Sequence, residues 1–360
     1  MRVLGIETSC DECAASVVED GRRILSNVVL TQIPFHAGYS GVVPEIASRK
    51  HTEWILDVAR RAIADAGLSP QDIDAAAATA HPGLSGSLLV GHTFAKGFAW
   101  AQNIPFVSCD HLLAHLYASN LTGKDLPPSA IDTPYPFLGL LVSGGHTVIC
   151  RVDNFDRVIP LGTTLDDAAG EGFDKVARYY GLGYPGGKYI DELAQSGNAG
   201  AFKFPLPNLD KTGRKYDVSY SGLKTAAVNQ LRLFCVKNEY RDMLADGKIK
   251  PCDMSPQMKA DIAASFQKTA VDILLRALLR AVEDTGINLV VTGGGVAANS
   301  HLRARLAAIP DLRCVFPPAA LCGDNGAMVA GLAFRYLERG ETSPFSSTIS
   351  ARVSLFKRLP

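Results

Sequence analysis

The chain has 360 residues, of which 47% are hydrophobic and 20% are charged, a composition typical of folded globular proteins. Lysine plus arginine and aspartate plus glutamate number 36 each, so the formal net charge is zero. This balance excludes a global electrostatic attraction for nucleic acid, so any RNA must be bound by a local patch or with a partner protein.

The sequence also argues against a membrane span and against secretion. No apolar run reaches the roughly 18 residues of a spanning helix, and Glu7 interrupts any apolar core of an N-terminal signal. The eight cysteines are scattered, and only Cys10 and Cys13 form a C-x-x-C pair, which is weak evidence for zinc or redox chemistry. We therefore expect a cytoplasmic protein.

The first 30 residues predict three strands around a short polar loop. Strands are expected at 2–6, 14–18 and 24–30, and Asp20-Gly21 provides the turn before the third. The loop between the first two strands is rich in hydroxyl and carboxylate side chains, including Asp11 and Glu12.

A loop rich in glycine and proline at 34–44 precedes a helix whose apolar face runs from Trp54 to Ala66. A buried strand at 75–79 then leads through a turn at 82–87 into a helix that ends near 102. The glycines and serines of this turn either expose backbone amides to an anion or form a tight turn against a packed helix. A short strand at 106–108 follows.

Two histidines lie on the next predicted helix, at 111–119. A spacing of four places His111 and His115 on one helix face, about one turn apart, where two imidazoles can hold one metal ion. Taken alone, such a pair is more often a coincidence than a site.

The second half of the chain repeats the first. The segment 4–9 resembles the segment 138–143 at a constant offset of 134 residues, and a turn at Asp153-Asn154 matches the one at Asp20-Gly21. Two copies of strand, polar loop, strand, turn and strand predict two related halves. Further helices are expected near 165–180, 189–195 and 257–284 (one or two), with strands at 288–292 and 313–316 and a last helix ending near 337.

Several charged residues of the second half have two readings. Asp166, Asp167 and Glu171 have the pattern of a solvated or helix-capping set. The basic residues between 196 and 225 are typical of a solvated face, but they are also the best local candidates for phosphate contacts: Lys211, Arg214, Lys215 and Lys224. Asp324, at the start of the last helix, is either an N-cap or a carboxylate free to bind a metal.

A duplicated α/β unit with a phosphate loop in each half is the plan of the actin-like ATPase and sugar-kinase (ASKHA) superfamily. We therefore expect an α/β protein of two lobes with a nucleotide cleft between them. The expected ranges are an N-terminal lobe at 1–135 with the histidine helix, a C-terminal lobe at 136–325 with the nucleotide loops, and a C-terminal helix and tail at 326–360 that returns toward the first lobe.

Nine motifs spread over nearly the whole chain together resemble one family, TsaD (once called Gcp or YgjD), the tRNA N6-adenosine threonylcarbamoyltransferases. In chain order they are Ile6–Glu12, Gly41–Arg49, His111–His115, Leu141–Thr147, Gly170–Lys175, Tyr184–Gly187, Ser219–Thr225, Gly294–Asn299 and Asp324–Ala327. The chain departs from the family's usual residues at Cys13, at His81 and between the two histidines.

The resemblance implies transfer of a threonylcarbamoyl group from threonylcarbamoyl-AMP to N6 of adenosine 37 in tRNAs that read ANN codons, with release of AMP. It also implies one divalent metal ion on His111, His115 and Asp324, iron(II) in preference to zinc(II), although nitrogen and oxygen ligands suit both. In bacterial relatives a TsaB-like paralogue and a TsaE-like ATPase are partners.

The substrate contacts that the resemblance implies lie in the second half: Leu141, Val142, Ser143, Gly144, Gly145, Asp174, Gly187 and Asn299. Asp174 would accept a ribose hydroxyl. No base for the N6 proton stands out, and Asp11 and Glu12 are the candidates. Because Asp324 falls in the second half, we expect the metal to lie between the halves.

Three alternatives compete with this hypothesis. A zinc endopeptidase needs His-Glu-x-x-His, whereas Leu112 follows His111 here. An actin-like kinase or ATP-binding protein has no use for a two-histidine centre, because Mg-ATP chemistry favours oxygen ligands. A non-catalytic scaffold would leave the polar loops unexplained.

Overall fold

The structure is a computed structural model that describes residues 1–39, 41–124, 126, 133–209, 213–234 and 254–352. The chain divides into two compact units, one formed by Met1–Pro134 with Phe316–Pro360 and the other by Tyr135–Val315. Residues 316–325, which the sequence-based ranges placed in the second lobe, therefore cluster with the first unit. Within the described part of the chain, no helix combines the length and apolarity needed to cross a membrane.

Ten strands and ten helices define the two units over the described residues. The strands are β1 (Arg2–Glu7), β2 (Glu12–Glu19), β3 (Arg23–Thr31), β4 (Ala75–His81), β5 (Phe106–Asp110), β6 (Phe137–Val142), β7 (Thr147–Asn154), β8 (Arg157–Thr163), β9 (Leu289–Gly293) and β10 (Arg313–Val315). The helices are α1 (Ile33–His36), α2 (Pro44–Asp65), α3 (Ser85–Gln102), α4 (His111–Tyr117), α5 (Ala169–Tyr179), α6 (Gly186–Ala194), α7 (Ser221–Phe234), α8 (Pro256–Thr285), α9 (Ser300–Ala307) and α10 (Gly326–Leu337).

The two sheets have the same topology. The first has the order β3-β2-β1-β4-β5 and the second the order β10-β9-β6-β7-β8, which is the same arrangement written from the other edge. Leu4 pairs with Val17 and Ala76, while Leu138 pairs with Arg151 and Val290, so the offset of 134 holds between β1–β2 and β6–β7. The predicted duplication is thus confirmed at the level of strand order and register.

Side-chain alternation along β1 assigns each face of the first sheet. Leu4 and Ile6 join the core that the sheet shares with α2 and α3. Gly5 points to the opposite face, where α10 packs so closely that a Cβ on Gly5 would lie 2.3 Å from the carbonyl oxygen of Gly326. The absence of a side chain at Gly5 therefore lets the backbone of α10 rest directly on the central strand.

The start of α10 fixes the position of Asp324. Asn325 is the N-cap, since its Oδ1 accepts a hydrogen bond from the Met328 amide at 3.0 Å. The N-cap reading of Asp324 is therefore wrong.

One helix of the second unit, α7, was not predicted from the sequence. α7 begins at Ser221, and Asp166 Oδ1 accepts hydrogen bonds from the amides of Tyr220 and Ser221 at 2.8 and 3.2 Å. Asp166 therefore caps α7, from 55 residues away in the sequence, and not α5, the helix that directly follows it in the chain. The segment predicted as one or two helices at 257–284 is the single helix α8.

Candidate functional site

Helix α4 begins directly at the end of β5. Asp110 caps the helix, because its Oδ1 accepts a hydrogen bond from the Leu113 amide at 2.9 Å. The rings of His111 and His115 meet edge to face with centroids 4.6 Å apart. The prediction that the two imidazoles share one helix face is thus confirmed.

Asp324 completes a cluster of three side chains. Its Oδ1 lies 3.1 Å from Nε2 of His115 and 3.7 Å from Nε2 of His111. Both histidines are buried and the aspartate is partly buried. All three residues belong to the first unit, so the ligand set is not divided between the two halves of the chain as expected. The reason is that the segment after β10 returns to the first unit and packs on β1.

The donor set fits a divalent transition metal. One potential ligand atom from each residue lies within 4.8 Å of the other two. Neighbouring ligands on one ion with bonds of about 2.1 Å are about 3.0–3.4 Å apart, close to the 3.1 and 3.7 Å that separate Asp324 from the two imidazoles. Two nitrogens and one carboxylate oxygen suit iron(II) and zinc(II) alike. The three residues predicted as metal ligands are therefore brought together.

A second carboxylate, which was not predicted as a site residue, lies behind His111. Oε2 of Glu7 is 3.1 Å from Nδ1 of His111, and Glu7 is fully buried. Glu7 also accepts hydrogen bonds from the Ser9 amide and the Thr79 hydroxyl, both at 2.5 Å. The sequence signal for it was an ionisable residue that directly follows the apolar run Val3–Ile6.

The electrostatics of this cluster favour positive charge. Burial acts to lower the pKa of His111, but the carboxylates of Asp324 and Glu7 outweigh it and raise that pKa to about 9. Burial acts to raise the pKa of Glu7, but the charge of His111 and its hydrogen bond hold that pKa below its usual value. The two carboxylates thus create a negative potential at the position where a cation would bind.

The loop between β1 and β2 carries the two candidate bases. Oε1 of Glu12 accepts a hydrogen bond from the Thr31 hydroxyl at 3.2 Å. Burial, followed by the charges of Asp324 and Asp11, raises the pKa of Glu12 well above its usual value. A raised pKa makes the carboxylate form of Glu12 a stronger base than that of an exposed glutamate, which suits a general base. Burial also raises the pKa of Cys10 and Cys13, which argues against a reactive C-x-x-C pair.

In the second unit, the loop after β6 meets the start of α5 and the turn after β9. The carbonyl of Ser143 accepts a hydrogen bond from the Gly170 amide at 3.1 Å. Gly294, at φ +91°, lies so close to the loop that a Cβ would be 2.4 Å from the Val142 carbonyl oxygen. Gly144 is exposed, and a Cβ there would meet nothing within 4 Å. The loop backbone therefore faces open space, as a phosphate-binding loop requires.

Three further predicted contact residues lie on helices linked to this loop. Asp174 on α5 accepts a hydrogen bond from the Gly186 amide at 2.7 Å, next to Gly187 at the start of α6. Asn299 caps α9, since its Oδ1 accepts from the Leu302 amide at 2.9 Å. Asp191 on α6 accepts from the Ser300 hydroxyl at 2.7 Å, and so joins α6 to the start of α9. Asp191 was not predicted from the sequence.

Other predicted contact residues of this unit lie in or near paired structure. Leu141 and Val142 are buried in β6, where Leu141 pairs with Val148 of β7 and Gly293 of β9. Lys215 pairs with Asp284 at 2.7 Å and Lys224 with Asp167 at 2.5 Å, so both lysines already have carboxylate partners. Their reading as phosphate contacts loses its support, and Lys211 lies outside the described residues.

The chain was compared with known families and proteins. The family model described as "TsaD: tRNA N6-adenosine threonylcarbamoyltransferase" matches residues 23–331. The chain belongs to the TsaD family. A member from Treponema denticola, named tRNA N6-adenosine threonylcarbamoyltransferase, is 57% identical over 358 residues, which cover 99% of each chain.

Solved structures outside the family share the fold. Component A of (R)-2-hydroxyglutaryl-CoA dehydratase from Acidaminococcus fermentans matches with a TM-score of 0.52 and 16% identity, over 94% of this chain and 99% of that one. Full-length HypF matches with a TM-score of 0.55 and 14% identity, over 95% of this chain and 47% of that one. These likenesses and the two sheets confirm the predicted actin-like α/β fold.

Membership of the TsaD family makes the chain a transferase that modifies tRNA. It favours this activity over the endopeptidase, kinase and scaffold alternatives. The His111, His115 and Asp324 cluster then stands as a candidate metal centre in an enzyme of this family.

Proposed function

We propose that this TsaD family member transfers the threonylcarbamoyl group of threonylcarbamoyl-AMP to N6 of adenosine 37 in tRNAs that read ANN codons. The adenine amine attacks the carbamoyl carbon, the bond from that carbon to the phosphate oxygen breaks, and AMP leaves. The N6 amine is a poor nucleophile, so the reaction depends on an activated acyl group held in a fixed position.

This proposal rests on the observation that the side chains of His111, His115 and Asp324 lie close together. These side chains would hold one divalent ion, which when bound supplies Lewis-acid polarisation or anchoring of the threonylcarbamoyl end. Iron(II) is the ion we favour over zinc(II), on the family resemblance, since the nitrogen and oxygen ligands suit both.

The remaining groups supply positioning and proton transfer. The main-chain amides of Gly144 and Gly145 would hold the phosphate, in keeping with the open space beside this loop. The Ser143 amide, by contrast, already donates a hydrogen bond to the His146 carbonyl at 2.8 Å. Asp174 would accept a ribose hydroxyl, and Gly187 and Asn299 would line the nucleotide. Glu12, or its neighbour Asp11, would take the N6 proton.

We also propose that the chain works in the cytoplasm with partner proteins, a TsaB-like paralogue and a TsaE-like ATPase. The support is electrostatic. A chain of zero formal net charge has no global attraction for tRNA, so a partner that adds positive surface would raise the affinity.

A transfer assay tests the proposal. The chain is incubated with threonylcarbamoyl-AMP and unmodified tRNA that reads an ANN codon, with and without a TsaB-like partner, and the nucleosides are analysed by mass. We expect threonylcarbamoyladenosine at position 37 and AMP in equal amounts, and no product on a tRNA with a different anticodon class. Product on every tRNA, or none with the partner present, would contradict the proposed substrate.

A further inference from the structure

Glu7 is the most completely buried ionisable group beside the candidate metal centre, and nothing in the proposed reaction uses it. Its carboxylate has no solvent exposure. A buried charge is costly unless it is hydrogen-bonded and balanced by an opposite charge. The Ser9 amide, the Thr79 hydroxyl and the His111 ring supply the hydrogen bonds. The charge that balances it is the open question.

The topology explains why Glu7 reaches His111 across 104 residues of sequence. β1, β4 and β5 are neighbouring parallel strands, so their carboxyl ends lie at one edge of the sheet. Glu7 ends β1, Thr79 lies near the end of β4, and α4 starts where β5 stops. Glu7, Thr79 and His111 therefore form a row along this edge, in the same order as β1, β4 and β5.

We propose that Glu7 is a positioning residue that fixes the tautomer and orientation of His111 for metal binding. By accepting a hydrogen bond from Nδ1–H, the carboxylate leaves the lone pair of Nε2 directed toward Asp324. A carboxylate behind a ligating imidazole also makes that imidazole more basic and a stronger ligand. This inference rests on the proposed metal site.

The formal charges around the candidate metal centre give Glu7 a second role. With two neutral imidazoles, the ligand set carries only the single negative charge of Asp324. Glu7 adds a second negative charge, so the whole buried assembly becomes neutral when a divalent ion binds. The ion then replaces the positive charge of His111 as the charge that balances the fully buried Glu7 carboxylate.

Two substitutions of Glu7 each remove one of its properties, either its charge or its reach to His111. Glu7→Gln keeps the shape and removes the charge, whereas Glu7→Asp keeps the charge but shortens the side chain by about 1.5 Å, one carbon–carbon bond. Each variant is stripped with a chelator and titrated with cobalt(II) alone, whose visible spectrum reports the ligand geometry. We expect both to raise the dissociation constant by about 10–100-fold and to change the spectrum.

The controls distinguish this inference from a structural effect and from failure of the metal site. Thr79→Val removes one hydrogen bond to Glu7 but leaves its contact with His111, and we expect less than a fivefold change in affinity. Melting temperatures of the metal-free variants show whether folding is affected. A Glu7→Gln variant with wild-type affinity would overturn the role of Glu7. Wild-type protein that binds no cobalt, or a His115→Ala variant that binds it equally well, would instead overturn the metal site.

Discussion

Substitution of Asp324 by Asn is expected to lower the rate of transfer to tRNA by about a hundredfold or more. Asp324 supplies the only carboxylate of the cluster, and its Oδ1 lies within 3.7 Å of both histidine Nε2 atoms. Asn keeps the shape but is a much weaker ligand. A bound ion contributes several kcal/mol to catalysis, and each 1.4 kcal/mol is about tenfold in rate. The measurement is the initial rate of threonylcarbamoyladenosine formation at saturating substrates.

A matched control shows whether an Asp-to-Asn change in this unit by itself lowers activity. Asp65→Asn makes the same chemical change at an exposed position of the same unit, where Asp65 pairs only with Arg61 at the surface. We expect wild-type activity from it. The metal content of both variants is measured in the same samples, and an Asp324→Asn protein with full activity would remove Asp324 from the mechanism.

The second large effect is expected on stability, from Gly5→Ala. The new Cβ would lie 2.3 Å from the Gly326 carbonyl oxygen and 2.5 Å from the Ala330 amide nitrogen. Both are backbone atoms of α10, so relief requires the helix to move off the sheet. We expect a loss of about 3 kcal/mol in the free energy of unfolding, the upper part of the range for overpacking.

Gly97→Ala is the control for Gly5→Ala. Gly97 is exposed within α3, and a Cβ there would meet nothing within 4 Å. Alanine is the better helix former, so this variant is expected to gain about 0.5–1 kcal/mol. Urea unfolding followed by circular dichroism compares the two. Equal midpoints for Gly5→Ala and wild type would show that α10 does not rest on β1 as described.

Gly5→Ala is also expected to affect the candidate metal centre. Asp324 directly precedes the N-cap of α10, so a displaced helix would carry the carboxylate away from the histidines. Gly5→Ala protein that remains folded is therefore expected to bind metal more weakly as well.

The sequence was sufficient for the features that depend on local periodicity or on repetition. The four-residue spacing of His111 and His115 fixed their common face, and the repeat at offset 134 predicted two sheets of one plan. Asp324 was singled out as a candidate carboxylate by its place before the last helix, but its link to His111 and His115, over 200 positions away, came from the family resemblance alone.

Other features of the site depend on packing between distant segments. The return of the C-terminal helix toward the first lobe was predicted, but residues 316–325 were not expected to cluster with the first unit. The close fit of α10 against Gly5 is a packing contact that a single sequence does not display. Glu7 acquires its partner only because parallel strands end at one edge of the sheet. Likewise, α7 starts where Asp166 provides a cap from 55 residues away, and no helix was predicted there.

The central claim is that one ion held by His111, His115 and Asp324 is required for transfer. Metal-free protein titrated anaerobically with iron(II), with transfer measured at each point, tests it most directly. We predict no transfer without iron(II), a transfer rate that rises linearly with added iron(II), and a plateau at one ion per chain. The Asp324→Asn variant is expected not to reach this plateau. Full transfer by metal-free protein, or a plateau at the same height and stoichiometry in the variant, would contradict it.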